Sequence, residues 1–158
     1  MRGHTTMPQA VTITGTRSTA HRPLIEYRAL FEEYIAPFAR EGVRFLIGGA
    51  SGIDSLSLLW LGSETAVDLT VVVPATLRDQ PADARHAVEA MQEAGRLTEV
   101  VELGGETRTP GYHARNRWMV DRADAVIGFP RRGTETSGTW YTLGYAAKQG
   151  KPQLVVPV

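Results

Sequence analysis

Short apolar runs alternate with helix-patterned segments along this chain, from Ala10 to Pro157. Asp124-Ala-Val-Ile-Gly-Phe129 is the clearest run, apolar from Ala125 onward, as a strand of a parallel sheet covered on both faces must be. Further strands are predicted over Ala10–Thr14, Val43–Ile47, Leu69–Val73, Glu99–Leu103 and Leu154–Pro157. Between them, Pro23–Arg40 places Leu24, Tyr27, Leu30, Phe31, Tyr34, Ile35 and Phe38 at helical spacing. Pro37 should kink that helix or end it early. Ser51–Leu61, Pro81–Ala94, Tyr112–Arg122 and Ser137–Gln149 complete the helices, the last closed by Lys148, Gly150 and Pro152. Strands and helices in strict alternation predict an α/β fold: a Rossmann-like, doubly wound, mostly parallel sheet with helices on both faces. Residues 1–9 read as a flexible tail, and 10–158 as a single nucleotide-binding domain.

In such sheets ligands sit outside the carboxyl ends of the strands. Ser137-Gly-Thr139 lies at one of these ends, with Ser137 as N-cap and Gly138 allowing close approach to the backbone. Free N–H groups and the helix dipole make that turn suited to an anion, most often a phosphate. Gly48-Gly-Ala-Ser-Gly-Ile-Asp54 is a second handover of the same kind. It has neither the spacing of a dinucleotide fingerprint nor the Lys of a Walker loop. Its candidates are Gly48, Gly49, Ala50, Ser51, Gly52 and Asp54. Asp54 could bind ribose hydroxyls, or could simply complement the helix dipole with Ser51 as cap.

Gly15-Thr-Arg-Ser18 follows the first strand. Gly15 frees the backbone, and Thr16, Arg17 and Ser18 offer donors to phosphate; the plainer reading is a polar turn with a solvated Arg. Arg115 and Asn116 lie on the helix before the fifth strand. There Arg115 is either a bidentate clamp on an anion or one half of a salt bridge on a solvated face. Trp140 and Tyr141 could stack on a base, although aromatic side chains at that position more often pack on the sheet. The loops 74–80 and 104–111 are expected to set ligand identity. The four His residues show no ligand spacing, so no metal is expected, and no cofactor is implied.

Composition narrows the function further. The 158 residues include 17 Lys plus Arg and 17 Asp plus Glu, a net charge of zero. Affinity for a nucleic-acid strand rests largely on phosphate neutralisation, so this balance argues against nucleic acid as a partner. No cysteine is present, which excludes disulfides and thiolate metal sites. No apolar run approaches the ~20 residues of a membrane span, and Met1–Gln9 has no secretory core. A cytoplasmic location is expected.

Gly15-Thr-Arg-Ser18, Gly48 to Asp54, Arg115-Asn116 with Met119, Ala123-Asp124 and Ser137-Gly-Thr139 together resemble the SLOG superfamily. That group unites the bacterial DNA-processing protein DprA with the lonely-guy (LOG) phosphoribohydrolases, and the resemblance is nearest to its short YspA-like branch. It covers Val11 to Pro157. It implies a nucleotide or nucleotide-derived ligand at the strand ends, with Gly48–Gly52 and Ser137–Thr139 holding its phosphate, and a homodimer. The hydrolase branch cleaves N-glycosidic bonds with an Arg of an Arg-Lys pair and the Glu of a PGGxGTxxE motif. Arg115 matches the Arg, but Asn116 stands for the Lys, and Thr142 or Ser137 for the Glu. Without that carboxylate, oxocarbenium stabilisation has no evident source, and only Glu135 lies near in sequence. The reading is therefore a small-molecule nucleotide-binding protein, a sensor for example. A phosphoribohydrolase using Arg115 and Glu135 is the alternative, and DprA-like binding of single-stranded DNA ranks last.

Overall fold

A computed structural model describes residues 7–135 and 137–158. Residues 1–6 of the expected tail, and Thr136 in the loop before the last helix, lie outside the described residues. Six strands form one sheet: β1 (Ala10–Gly15), β2 (Arg44–Gly48), β3 (Asp68–Val73), β4 (Leu97–Glu102), β5 (Ala125–Phe129) and β6 (Gln153–Val155). Their order is β4-β3-β2-β1-β5-β6, and every pairing is parallel. Five helices connect them: α1 (Leu24–Tyr34), α2 (Ile53–Glu64), α3 (Ala82–Glu93), α4 (Thr109–Asp121) and α5 (Gly138–Lys148). This is the expected Rossmann-like α/β architecture.

Side-chain alternation along each strand divides the apolar residues between two layers. Val11, Ile13, Phe45, Ile47, Leu69, Val71 and Val73 pack with Tyr27, Phe31, Ile53, Leu58, Leu61, Val88 and Met91 of α1–α3. On the opposite face Leu46 and Val72 meet Met119 of α4, and Val126 meets Leu143 and Ala146 of α5. Both faces are covered over the central strands β1, β2, β3 and β5, which explains why these read as largely apolar runs. Each such side chain contributes about 1.5–3 kcal/mol on full burial.

The helix ends follow local chemistry. Pro37 stops α1 at Tyr34 and leaves a 3₁₀ turn at Ala36–Phe38. Ser137 caps α5, its hydroxyl accepting from the Trp140 N–H at 3.3 Å. At the other end Gly150 turns left-handed at φ +71°, and the Lys151 N–H reaches back to the Ala146 carbonyl at 2.9 Å. The start of α2 differs from expectation. Gly52, at φ +78°, precedes the first helical residue Ile53, and Ser51 caps nothing. The Ser51 hydroxyl instead donates to Asp83 Oδ1 on α3 at 2.8 Å.

From β1 the chain runs outward through β2, β3 and β4, then returns to β5 on the other side of β1. The loop after β1 leads to α1 on one face, and the loop after β5 to α5 on the other. The gap between them is the topological switch point, where sheets of this kind open a crevice.

Candidate functional site

A cavity of about 800 Å³ opens at that switch point. Its walls come from the end of β1 and the loop behind it, the start of α2, the first half of α4, and the start of α5. All are carboxyl-end segments, so side chains far apart in sequence converge there.

The floor is polar and buried. Asp54, Arg115 and Asn116 are only 7%, 3% and 7% exposed, and Thr14 and Thr139 are comparably enclosed. Asp54 reaches in from α2 and Arg115 from α4, on opposite faces of the sheet, and they approach over Gly48 at the end of β2. A Cβ at Gly48 would lie 2.7 Å from Asp54 Oδ2 and 2.8 Å from Arg115 Nη1, so only glycine leaves room for both. They form no ion pair within 4.0 Å. Arg115 Nε donates to Asn116 Oδ1 at 2.7 Å, and Nη1 to the Val72 carbonyl at 3.2 Å. Its own burial lowers the pKa of Arg115, yet a guanidinium stays charged in any protein. Burial pushes the Asp54 carboxyl up to about 7, against the charges of Arg115 and Arg17 and the Ala50 N–H. The floor thus carries a fixed positive charge beside a carboxyl that titrates near neutrality.

The mouth is aromatic. The Arg17 guanidinium lies over the Tyr112 ring, 4.3 Å from its centroid. His113 and Tyr141 stack at 3.6 Å with their rings 6° from parallel, and Arg117 Nη1 donates to the Tyr141 hydroxyl at 2.7 Å. Burial, then the charge of Arg117, lowers the His113 pKa. Trp140 lines the same wall and also packs on the Val120, Val126 and Leu143 cluster. Its indole Nε1 is buried with no hydrogen-bond partner among the described residues.

The predicted residues divide. Gly15, Thr16, Arg17, Ser18, Ala50 and Asp54 line the cavity, as do Arg115, Asn116, Glu135, Ser137, Gly138 and Thr139. For Arg115 the solvated salt bridge is ruled out by its burial. Gly15 contributes through packing, since a Cβ there would strike Ile53 at 2.5 Å. Gly48 and Gly49 lie behind the floor, Gly49 against Val73 and bonded through its carbonyl to Gln80. Gly52 abuts the Thr16–Arg17 backbone, and Ser51 faces a smaller adjoining cavity of about 300 Å³. The start of α2 is therefore not the open anion cradle expected. The Ile53 N–H is taken by the Thr16 carbonyl at 3.0 Å, and the Ala50 N–H by Asp54 at 3.3 Å.

Glu135 is exposed at the rim. Of the two residues that stand for the hydrolase Glu, Thr142 donates to the Gly138 carbonyl at 2.9 Å and Ser137 caps α5. Thr14, Thr109, Tyr112 and His113 also line the cavity but carry no motif that sequence reasoning could use. Among the described residues no three His, Asp or Glu side chains gather as a metal site, and no helix is long and apolar enough to cross a membrane.

The family model for DNA recombination-mediator protein A matches residues 1–158. The chain belongs to the DNA recombination-mediator protein A family. Two solved structures share the fold of this family member. One is DNA processing protein A from Helicobacter pylori, described for its unique single-stranded DNA binding mode. It is 22% identical at a TM-score of 0.68, over 96% of this chain and 66% of that one. The other is DNA processing protein A from Streptococcus pneumoniae, 18% identical at a TM-score of 0.69, over 94% of this chain and 50% of that one. The chain thus spans between half and two-thirds of the length of these relatives. A comparison with curated proteins returns no match.

Membership of this family confirms the DprA side of the SLOG resemblance and corrects two expectations. The sequence points to a small-molecule nucleotide, and its zero net charge argues against nucleic acid. A family of DNA recombination mediators overturns that order. Net charge averages the whole surface, whereas this cavity concentrates a buried guanidinium and several rings in one place.

Proposed function

We propose that the cavity at the switch point binds single-stranded DNA, as part of a recombination-mediating role. The observation that carries this reading is the unpaired, buried Arg115 at the base of a cavity whose mouth holds Tyr112, His113 and Tyr141. Proteins that bind single strands combine cations that track phosphate with rings on which unpaired bases stack. A duplex keeps its bases stacked on each other and cannot present them to a narrow polar cavity. The Helicobacter pylori relative, described as binding single-stranded DNA, has the same fold. Within this reading Ser137, Gly138 and Thr139 at the start of α5 take a phosphate, Arg17 and Arg115 balance its charge, and the Tyr112 ring meets a base. A cytoplasmic setting belongs to the same proposal.

Fluorescence anisotropy with a labelled dT oligonucleotide tests it. The wild type should bind the single strand and should bind the matching duplex much more weakly. Arg115→Met should weaken binding at least about tenfold, a charge-assisted contact being worth about 1.5–3 kcal/mol. Tyr112→Ala should cost about 1 kcal/mol or more of stacking. No binding at low salt, or unchanged affinity in both variants with folding intact, would refute the proposal.

A further inference from the structure

We propose that the furrow between α2 and α3 is a docking site for a basic amphipathic helix of a partner protein. The inference stands apart from the DNA reading, because no residue lines both the furrow and the switch-point cavity.

The furrow encloses about 500 Å³. Leu56 and Leu59, at helical spacing on α2, form one side, and Ala87 and Ala90, equally spaced on α3, form the other. Small residues on α3 opposite larger ones on α2 leave a depression into which the apolar ridge of a third helix can settle. Leu56 and Leu59 are half-buried against the main core and Ala90 is exposed, so the floor is built but uncovered. Asp83 and His86 stand at its edge.

Charge says what could cover it. The zero net charge of the chain is divided unevenly between the two helix layers. Outside the switch-point cavity, α1, α2 and α3 expose Glu26, Glu32, Glu33, Glu64, Glu89 and Glu93 in addition to Asp83. Against these stand only Arg28 and Arg85, and the Arg78 and Gln80 carbonyls hold Arg85. On the other layer Arg117, Arg122 and Lys148 outnumber Asp121. Along α3, Asp83, Ala87, Ala90 and Glu93 fall on one stripe, so carboxylates about 15 Å apart bracket the apolar floor. Among the described residues Asp83, Glu89 and Glu93 form no ion pair, and Asp83 takes the Ser51 hydroxyl on Oδ1.

This arrangement selects the occupant. A nucleic-acid strand or an anionic membrane would be repelled by the rim. A second copy would bring its own exposed apolar pair, Leu24 and Ile25, on α1 beside Glu26, and so set acid against acid. A helix with an apolar stripe flanked by Lys or Arg satisfies both floor and rim, as in other helix-in-groove recognition.

The probe is a short fluorescein-labelled amphipathic peptide of leucine and lysine, and the control has the same pattern in leucine and glutamate. Anisotropy should show binding of the first and none of the second, and hydrogen exchange should slow over 53–64 and 82–93. Ala90→Arg puts a good helix former at an exposed position, so the fold should survive, as a thermal melt would show. It sets like charge and bulk in the furrow and should weaken the peptide at least about tenfold. Glu93→Lys should weaken it about threefold. Glu32→Lys makes the same charge change on α1, outside the furrow, and should leave affinity at the wild-type level. No binding of the leucine–lysine peptide, equal binding of both peptides, or equal losses in Ala90→Arg and Glu32→Lys would overturn the proposal. So would concentration-dependent dimers that Ala90→Arg abolishes, since a second copy would then be the occupant. No DNA enters the experiment, so its outcome leaves the DNA reading untouched.

Discussion

At the scale of single residues, Gly48 and Asp54 decide the character of the site. Gly48→Ala would push a methyl into the space between Asp54 and Arg115. Overpacking of this kind costs about 1–3 kcal/mol, so a lower melting temperature and weaker DNA binding are expected together. Asp54 also makes stability depend on pH. Its pKa is about 7 in the folded chain, against an ordinary value of 3.8 when unfolded. Between those values the folded state holds more protons than the unfolded one, so stability falls as pH rises through the window. The slope is at most about 1.4 kcal/mol per pH unit. Above pH 7 the folded chain carries a buried charge, and Asp54→Asn should there raise the melting temperature and flatten the acid-side slope, as thermal denaturation at pH 5 to 8 would record. Sequence could nominate Asp54 and Arg115 by position. It could not show that they meet, because helical spacing on α4 does not say which flank overlooks the end of β2. Tyr112 and His113 were illegible for the same reason: a ring carries no motif until a cavity forms beside it.

At the scale of elements, most of the fold was legible. The four central strands are buried on both faces, so their apolar runs stand out in the sequence, and β5 falls within the Asp124–Phe129 run, one residue shorter. Pro37, Ser137 and Gly150 ended or capped helices as their backbone chemistry requires. The start of α2 was misread because Ser51 has a partner on α3 that local sequence does not reveal, and Gly52 must lie against the Thr16–Arg17 backbone. Ser137→Ala removes the one side-chain hydrogen bond capping α5, and should lower stability by about 1 kcal/mol in chemical denaturation. The turn it holds faces the cavity, so the same variant should weaken strand binding modestly.

For the whole molecule, a zero net charge and a DNA-binding role are compatible when the contact is small and partly enclosed. Few phosphates then need neutralising, and stacking supplies energy that salt does not screen. Two cavity cations, Arg17 and Arg115, imply a slope of log affinity against log salt of about −1.4, much shallower than for a strongly basic binder. Titration of a dT strand from low to high salt would measure it. A guanidinium buried beneath aromatic walls is an invitation to one nucleotide at a time. The central claim is that a single strand lies at the carboxyl ends of β1 and β5. Photocrosslinking with 5-iodouracil-substituted single strands, followed by mass spectrometry of the adducted peptides, tests it most directly. The account predicts adducts on Tyr112, His113, Trp140 or Tyr141; adducts confined to α1 or α3, with none on these residues, would contradict it.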